Sequence, residues 1–400
     1  MKFCLILFLF FSILFSQEDK KISINIYEYD NPEWWSNYNN SGLNFTQSNI
    51  SLSYKNILDN YELLINTHAS DKKIIFAESY ISFSKSESYK IKFGRYYRDF
   101  STYLNDELSS GSMLIGKNAL PIPKIGLLGE YQIKKNNKFK FTYGLAHSVL
   151  DKNDVYNESP FIHEKFLYLI KNDNNYEYGF GFVHEAMWGG STYLNGKFPS
   201  SFSDYLKVFI SADGEKLEGQ PHANALGNHL GIWDFYYRKK NKSNIFKFYY
   251  QHFFEDTSGL RFQNRFDGLW GIEYKDLSSK LNYVLEYINT SNQDRDPPYV
   301  NENYYNHFEY TLGWSYKGYV LGNPFIDNIN NNPSKIIHAG ISNDNFNNFK
   351  FKILLSKRIA SNDTLKYSFS IGKIFKNFST SLFINGSKSK NIGLRIVYGV

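Results

Sequence analysis

Side chains able to grip a polar ligand crowd one stretch of this chain, Gly219 to Tyr274. It reads GQPHANALGNHLGIWDFYYRKKNKSNIFKFYYQHFFEDTSGLRFQNRFDGLWGIEY. Within it stand His222, Asn228, His229, Trp233, Asp234, His252, Glu255, Asp256, Arg261, Asp267 and Trp270. Imidazole and carboxylate suit zinc, and His252, Glu255 and Asp256 lie close together in QHFFED. Their spacing fits no metal motif, and a turn between strands does not hold ligands as a helix does. No metal and no cofactor is therefore expected. Paired carboxylates could cleave a glycosidic bond. Glu255 and Asp256 are adjacent, however, and neighbours on a strand point to opposite faces. A serine hydrolase needs a Ser, a His and an orienting acid. Ser258 follows His252, but no G-x-S-x-G elbow surrounds it. Nothing here singles out catalysis, and the protein reads as a non-enzyme.

Carbohydrate binding suits these residue types better. A sugar offers hydroxyls at its edge and C–H groups on its faces. A reader needs flat rings beside Asp, Asn, Glu, His and Arg. Trp233 beside Asp234, Trp270 near Asp267, and Trp188 near His184 and Glu185 supply such pairs. The candidate polysaccharide-binding set is Trp233, Asp234, His252, Glu255, Asp256, Arg261, Asp267 and Trp270. Each tryptophan equally suits the aromatic girdle of a membrane barrel. The polar groups of the set are expected to converge on one polar mouth or lumen surface.

Those residues must be positioned by strands. Phe246, Phe248 and Tyr250 alternate with Lys247, Tyr249 and Gln251, the period-2 pattern of a two-faced strand. The same rhythm recurs along all 400 residues. Candidate strands fall near 22–28, 43–54, 61–68, 73–84, 89–97, 125–134 and 138–147. More fall near 163–171, 176–186, 204–212, 229–239, 244–253, 267–276 and 279–290. The last fall near 306–317, 335–343, 348–357, 364–375, 378–386 and 391–400. Aromatic residues make up 18% of the chain, with 33 Tyr and 35 Phe, yet the mean hydropathy is −0.46. No long helical periodicity exists to bury so many rings. Many half-apolar strands rich in Tyr and Phe read as a transmembrane antiparallel β-barrel. Bacterial barrels have even strand numbers, so about eighteen are expected. A soluble sandwich shows the same alternation, but the number of strands favours the membrane. Ile392, Leu394, Ile396, Tyr398 and Val400 share one face of a closing strand.

Lys2, the apolar run Phe3 to Phe15, and Ser16 read as a secretory signal peptide over 1–16. The mature barrel would be 17–400, in the outer membrane of a Gram-negative bacterium. Cys4, the one cysteine, falls inside the leader, so disulfide staples are not expected. The formal net charge is +6 and the charges are interspersed, so no nucleic-acid partner is implied. Arg98 to Pro123 breaks the rhythm and reads as an inward-folded plug or constricting loop, with a disordered outer loop the competing reading. Asn289 to Tyr304, with Pro297 and Pro298, reads as a loop. Tight turns near Asn172–Asn175, Lys240–Ser243, Asp276–Ser279 and Asp344–Asn347 should share the periplasmic side. The strand count places the last two on opposite sides. A short extra strand in Tyr319–Ile326 would resolve this.

Several stretches resemble the Wzi family of outer-membrane capsule-assembly proteins. They are LSSGSMLIGKNALPIPKIGLL from Leu108, GNHLGIWDFYY from Gly227, YYQHFFEDTSGLRF from Tyr249 and DGLWGIEY from Asp267. GWSYKGYVLGNPFI from Gly313 and the following NNPSKIIHAG also match. The resemblance implies an outer-membrane lectin that binds or organises capsular or other surface polysaccharide. It implies outer-membrane lipid as the other partner, and a helical bundle closing the barrel in relatives. It brings no catalytic motif. The competing reading is a porin-like channel for small solutes or oligosaccharides. Oligomeric state is not legible.

Overall fold

The computed structural model describes residues 19–28, 39–43, 48–70, 73–86, 88–97, 105–133, 138–215, 224–292, 303–329, 333–359, 363–387 and 390–399. The expected leader, residues 98–104, His222, Pro297, Pro298 and Val400 lie outside the described residues.

Eighteen antiparallel strands form one sheet. The first nine are β1 (Asp19–Glu28), β2 (Asn49–Leu58), β3 (Tyr61–Ala69), β4 (Ile74–Ser86), β5 (Tyr89–Arg95), β6 (Pro123–Gln132), β7 (Phe139–Val149), β8 (Phe161–Asp173) and β9 (Tyr176–Trp188). The others are β10 (Asn228–Lys240), β11 (Asn244–Phe254), β12 (Gly268–Asp276), β13 (Leu281–Asn289), β14 (Lys335–Asn343), β15 (Phe349–Arg358), β16 (Lys366–Ile374), β17 (Phe378–Gly386) and β18 (Lys390–Tyr398). β1 pairs with β2 and with β18, so Ile22 lies opposite both Leu52 and Tyr398. That pairing closes the sheet into a barrel and leaves no strand edge.

The wall follows from alternation. On β13 Leu285 is 53% exposed, while its neighbours Val284 and Glu286 are 3% and 1% exposed. One face therefore looks out and the other into the barrel. On β11 the inward set is Lys247, Tyr249, Gln251 and Phe253, and the outward set includes Phe246, Phe248 and Tyr250, as the sequence pattern predicts. Inward glycines make room for rings from the next strand. A Cβ on Gly271 would sit 2.0 Å from the Tyr249 ring, and one on Gly181 would sit 2.1 Å from Tyr168.

Two of the twenty candidate strands are not barrel strands, and removing them leaves eighteen. Residues 204–212 belong largely to a helix, α1 (Phe202–Phe209). Ser201 and Asp204 form a reciprocal capping box that nucleates it. Residues 306–317 lie within the connection from β13 to β14, where Tyr310 and Trp314 are buried on all sides. Their apolar rings mark interior packing, not one face of a strand. Tyr319–Ile326 adds no barrel strand either. Only Tyr319–Val320 is extended, in a small hairpin with Ser315–Tyr316. With both segments removed from the count, the four tight turns share one rim, together with the start of β1 and the end of β18. The long connections 189–227, 255–267 and 290–334 share the other rim, which is the extracellular side in this architecture.

The alternation sets a direct test on β16. Ile371 is 44% exposed on the outer wall, and Ser370 lines the lumen. Arginine facing lipid near the midplane costs about 2–4 kcal/mol. Ile371→Arg should lose most of the heat-modifiable folded band on a gel, and Ser370→Arg should keep it. Equal loss would contradict this register.

Candidate functional site

Two segments from the extracellular rim turn into the barrel. The first is 105–122. Its backbone meets inward side chains of four strands. Glu286 of β13 accepts from Ser109 Oγ at 2.6 Å and from the Ser110 N–H at 2.7 Å. The same carboxylate accepts from Tyr249 Oη at 2.5 Å. Gln251 of β11 accepts from the Met113 N–H at 2.9 Å. Glu273 of β12, paired with Lys247, accepts from the Asn105 N–H at 2.9 Å. His338 of β14 holds the Leu108 carbonyl through Nε2 at 2.6 Å. A buried N–H without a partner costs about as much as a lost hydrogen bond, so these acceptors are what let an irregular chain lie in the barrel.

The second segment, 303–329, locks against the first. Tyr305 Oη donates to the Met113 carbonyl at 2.5 Å, and Trp314 Nε1 donates to the Leu114 carbonyl at 2.8 Å. Asn323 Nδ2 donates to the Gly111 carbonyl at 2.9 Å, and the Gly116 N–H donates to the Leu321 carbonyl at 2.7 Å. Leu108, Met113, Leu114 and Trp314 are fully buried between the segments and the wall.

Against the wall of β1–β3 and β15–β18 the lumen keeps a polar cavity of about 610 Å³. Serines and asparagines dominate its lining, with Lys21, Lys352 and Arg395 as cations. Arg395 Nε donates to Asn25 Oδ1 at 2.6 Å.

The eight candidate residues do not converge. Trp233, His252 and Trp270 are on the outward face, where Trp233 and His252 are paired across β10 and β11. Trp270 stacks on Tyr250 with centroids 3.8 Å apart. His252 bonds to Tyr250 Oη and to the Gly259 carbonyl, and stacks on Phe262. These three belong to the outer wall and the loop folded over it, as the girdle reading expects of the tryptophans. Asp234 faces inward and accepts from Tyr168 Oη at 2.7 Å. Glu255 accepts from the Tyr305 N–H at 2.6 Å, which fastens the second inserted segment. Asp256 points away from Glu255 and accepts from the Gly259 N–H at 2.7 Å, capping the single helical turn α2 (Thr257–Leu260). Asp256 and Arg261 are the exposed members. The expected single polar mouth is thus corrected to three separate environments. Side chains on adjacent strand residues diverge, so nearness in sequence does not become nearness in space.

Asp267 is fully buried at the end of the 255–267 loop. It accepts from Asn292, through N–H and Nδ2, and from Tyr304 Oη. Burial pushes its carboxyl up to about 6, and those hydrogen bonds offset part of the rise. It therefore fastens the start of the 290–334 connection. Among the described residues no group of three His, Cys, Asp or Glu side chains is arranged to hold a metal ion. The side chain of Ser258 lies outside the described residues.

The residues that hold the interior together, Glu286, Gln251, Glu273 and His338, were not in the candidate set. The available signal was the alternation itself, which put Glu286 on the inward face of β13. Polarity at an inward position does not say which backbone group it will meet.

A closed eighteen-stranded barrel whose lumen is partly filled by its own extracellular loops defines the class: a membrane-spanning barrel built around an interior scaffold. The family model of the capsule assembly protein Wzi matches residues 33–331, and the chain belongs to that family. Among solved structures it is similar to Wzi of Escherichia coli, described as an outer-membrane protein involved in group 1 capsule assembly and as a carbohydrate-binding β-barrel. The identity is 15%, the TM-score is 0.64, and the match covers 96% of this chain and 85% of that one. At that identity the likeness shows the fold. OccK5 (OpdH) of Pseudomonas aeruginosa matches at 8% identity over 95% of this chain and 96% of that one, with a TM-score of 0.44, too low to carry an argument. No curated protein sequence matches the chain.

Removing the Glu286 carboxylate should release segment 105–122. In Glu286→Ala the Ser110 N–H and Tyr249 hydroxyl lose this acceptor, a cost of about 1–3 kcal/mol for each buried donor left unsatisfied. Hydrogen-exchange mass spectrometry should show amides 108–114 exchanging far faster, while the strands stay protected. Unchanged protection would show that the segment is held otherwise. A second test concerns pH. The folded state holds the Asp267 proton more tightly than the unfolded carboxyl, whose pKa is near 3.8. The contribution of Asp267 to folding stability should therefore be fully present below about pH 4, be lost as pH rises to about 6, and stay flat above. Unfolding in urea, followed by loss of the heat-modifiable folded band, should show that pH dependence, and Asp267→Asn should flatten it.

Proposed function

We propose that this protein is an outer-membrane β-barrel lectin of a Gram-negative bacterium, which binds or organises capsular or other surface polysaccharide at the cell surface. One observation carries this reading. The chain belongs to the Wzi capsule-assembly family over residues 33–331, and it has the fold of a barrel described as carbohydrate-binding. Two segments of the extracellular rim fill part of the lumen, which supports binding at the surface over free passage of solutes.

The glycan contacts lie on the extracellular rim, and Asp256 and Arg261 are the candidate residues placed to make them. Arg265, also exposed in the same loop, joins them. Guanidinium groups give directional hydrogen bonds to hydroxyl and carboxylate oxygens of a sugar. Asp234, Glu255 and Asp267 are engaged in the interior, and Trp233, His252 and Trp270 stand on the outer wall. Their role is to shape the barrel beneath the binding face. The protein acts by binding and not by catalysis. In support, Glu255 accepts from the Tyr305 N–H and Asp256 from the Gly259 N–H, so both carboxylates fasten backbone.

The test is retention of the organism's own surface polysaccharide by the purified barrel. The parent should bind it, and the double variant Arg261→Ala/Arg265→Ala should bind about tenfold more weakly, on the order of 1.4 kcal/mol. No binding by the folded parent would refute the lectin reading. Full binding by the folded double variant would place the contacts elsewhere on the rim.

A further inference from the structure

The outer wall of the barrel carries a polar patch on β7–β10. His147 of β7, His163 and Lys165 of β8, His184 of β9 and His229 of β10 occupy outward positions near the extracellular rim. The register sets them side by side. His147 is opposite His163, Lys165 is opposite His184, and Ala186 lies between His163 and His229. Further down the same outward rows stand Leu145, Leu167 and Phe180, which are exposed and apolar. Polar and charged groups on the lipid face of a barrel are destabilising. Something must cover them.

The cover is α1 and the residues just after it. Tyr205 Oη lies 3.2 Å from His147 Nε2, and the Tyr205 ring meets His163 edge-on at 5.5 Å. The Phe209 ring lies 5.1 Å from His163. Lys165 donates to the Phe209 carbonyl at the helix C-terminus, where a cation is favoured. Ser211 Oγ lies 3.2 Å from His184 Nε2, and His184 in turn meets His229 at 2.9 Å. Val208 is fully buried in a small external core with Ala186 and Trp188. The helix thus packs on the outside of the barrel.

Its remaining surface divides in two. Phe202, Leu206 and Ile210 are four residues apart, so they share one stripe. They are 75%, 50% and 72% exposed, although all three are large and apolar. Ser203, Asp204 and Lys207 form a separate polar stripe. A helix with one face on a protein wall, one polar face and one bare apolar face is suited to a boundary between hydrocarbon and water. The helix that carries this bare stripe packs through Tyr205 and Phe209 on strands whose outward rows lower down hold the exposed Leu145, Leu167 and Phe180.

We propose that α1 is an interfacial anchor, with Phe202, Leu206 and Ile210 set among the acyl chains of the outer leaflet. The occupant of the stripe is membrane lipid. In that position the helix shields the outward histidine and lysine patch from hydrocarbon. It also ties the 189–227 connection to the membrane surface, so the position of this extracellular loop depends on the bilayer. The inference rests on membrane insertion of the barrel and is independent of glycan binding.

The test uses single nitroxide labels. Cys4, the natural cysteine, is replaced by Ser, and Leu206→Cys, Ile210→Cys and Lys207→Cys are made separately in the full chain. Each folded, heat-modifiable barrel is labelled and reconstituted in phosphatidylcholine nanodiscs. Power saturation then compares collisions with oxygen, which concentrates in lipid, and with a water-soluble nickel chelate. Labels at Leu206 and Ile210 should collide several-fold more with oxygen relative to nickel than the label at Lys207. Should one of the two apolar-site variants fail to fold, the other reads the same stripe. Equal nickel accessibility at Leu206, Ile210 and Lys207 would put the helix in water and overturn the proposal.

Discussion

The interior of this barrel depends on one carboxylate. Glu286 accepts from the Ser109 hydroxyl and the Ser110 N–H of segment 105–122 and from the Tyr249 hydroxyl of β11. An irregular segment can lie inside a barrel only if its backbone polar groups find partners there. The wall supplies them from Glu286, Gln251, Glu273 and His338 on four consecutive strands. The second inserted segment then bonds to the first through Tyr305, Trp314 and Asn323, and to the wall and rim through Glu255, Asp267 and Arg358. The wall holds 105–122, and 105–122, the wall and the rim together hold 303–329.

The outside of the barrel meets the reverse requirement. There the wall must be apolar, and where it is not, a piece of loop covers it. The loop 255–267 folds over His252 and Trp233, with the Leu260 carbonyl accepting from the Trp233 indole. Helix α1 does the same for the histidine patch on β7–β10. Both covers come from extracellular connections, so these loops also complete the membrane-facing wall. The extracellular rim is braced from inside by Asp267 and Glu255 and from outside by α1.

Much of this was legible from residue types in order. Eighteen of the twenty candidate strands are barrel strands, because period-2 alternation is a local property. The same alternation assigned Lys247, Tyr249 and Gln251 to the lumen. It misled at 204–212, where Ser201 and Asp204 cap a helix whose apolar residues also alternate over a short window. It misled again at 306–317, where rings meant for interior packing look like one face of a strand. The false strand at 306–317 produced the conflict between the last two turns, and the one at 204–212 sets the first two turns apart in the same way.

The candidate site shows the limit more sharply. The sequence by itself determined that a barrel forms, which faces of its strands are wet, and to which family the chain bears likeness. It could not determine that Asp234 would meet the Tyr168 hydroxyl, or that Glu255 and Asp267 would be spent on fastening a loop some fifty and twenty-five residues away. Those outcomes depend on which distant backbone group enters the lumen beside each side chain. Strand periodicity fixes the direction of a side chain, and only closure of the barrel and the inward path of its loops decide what that side chain meets.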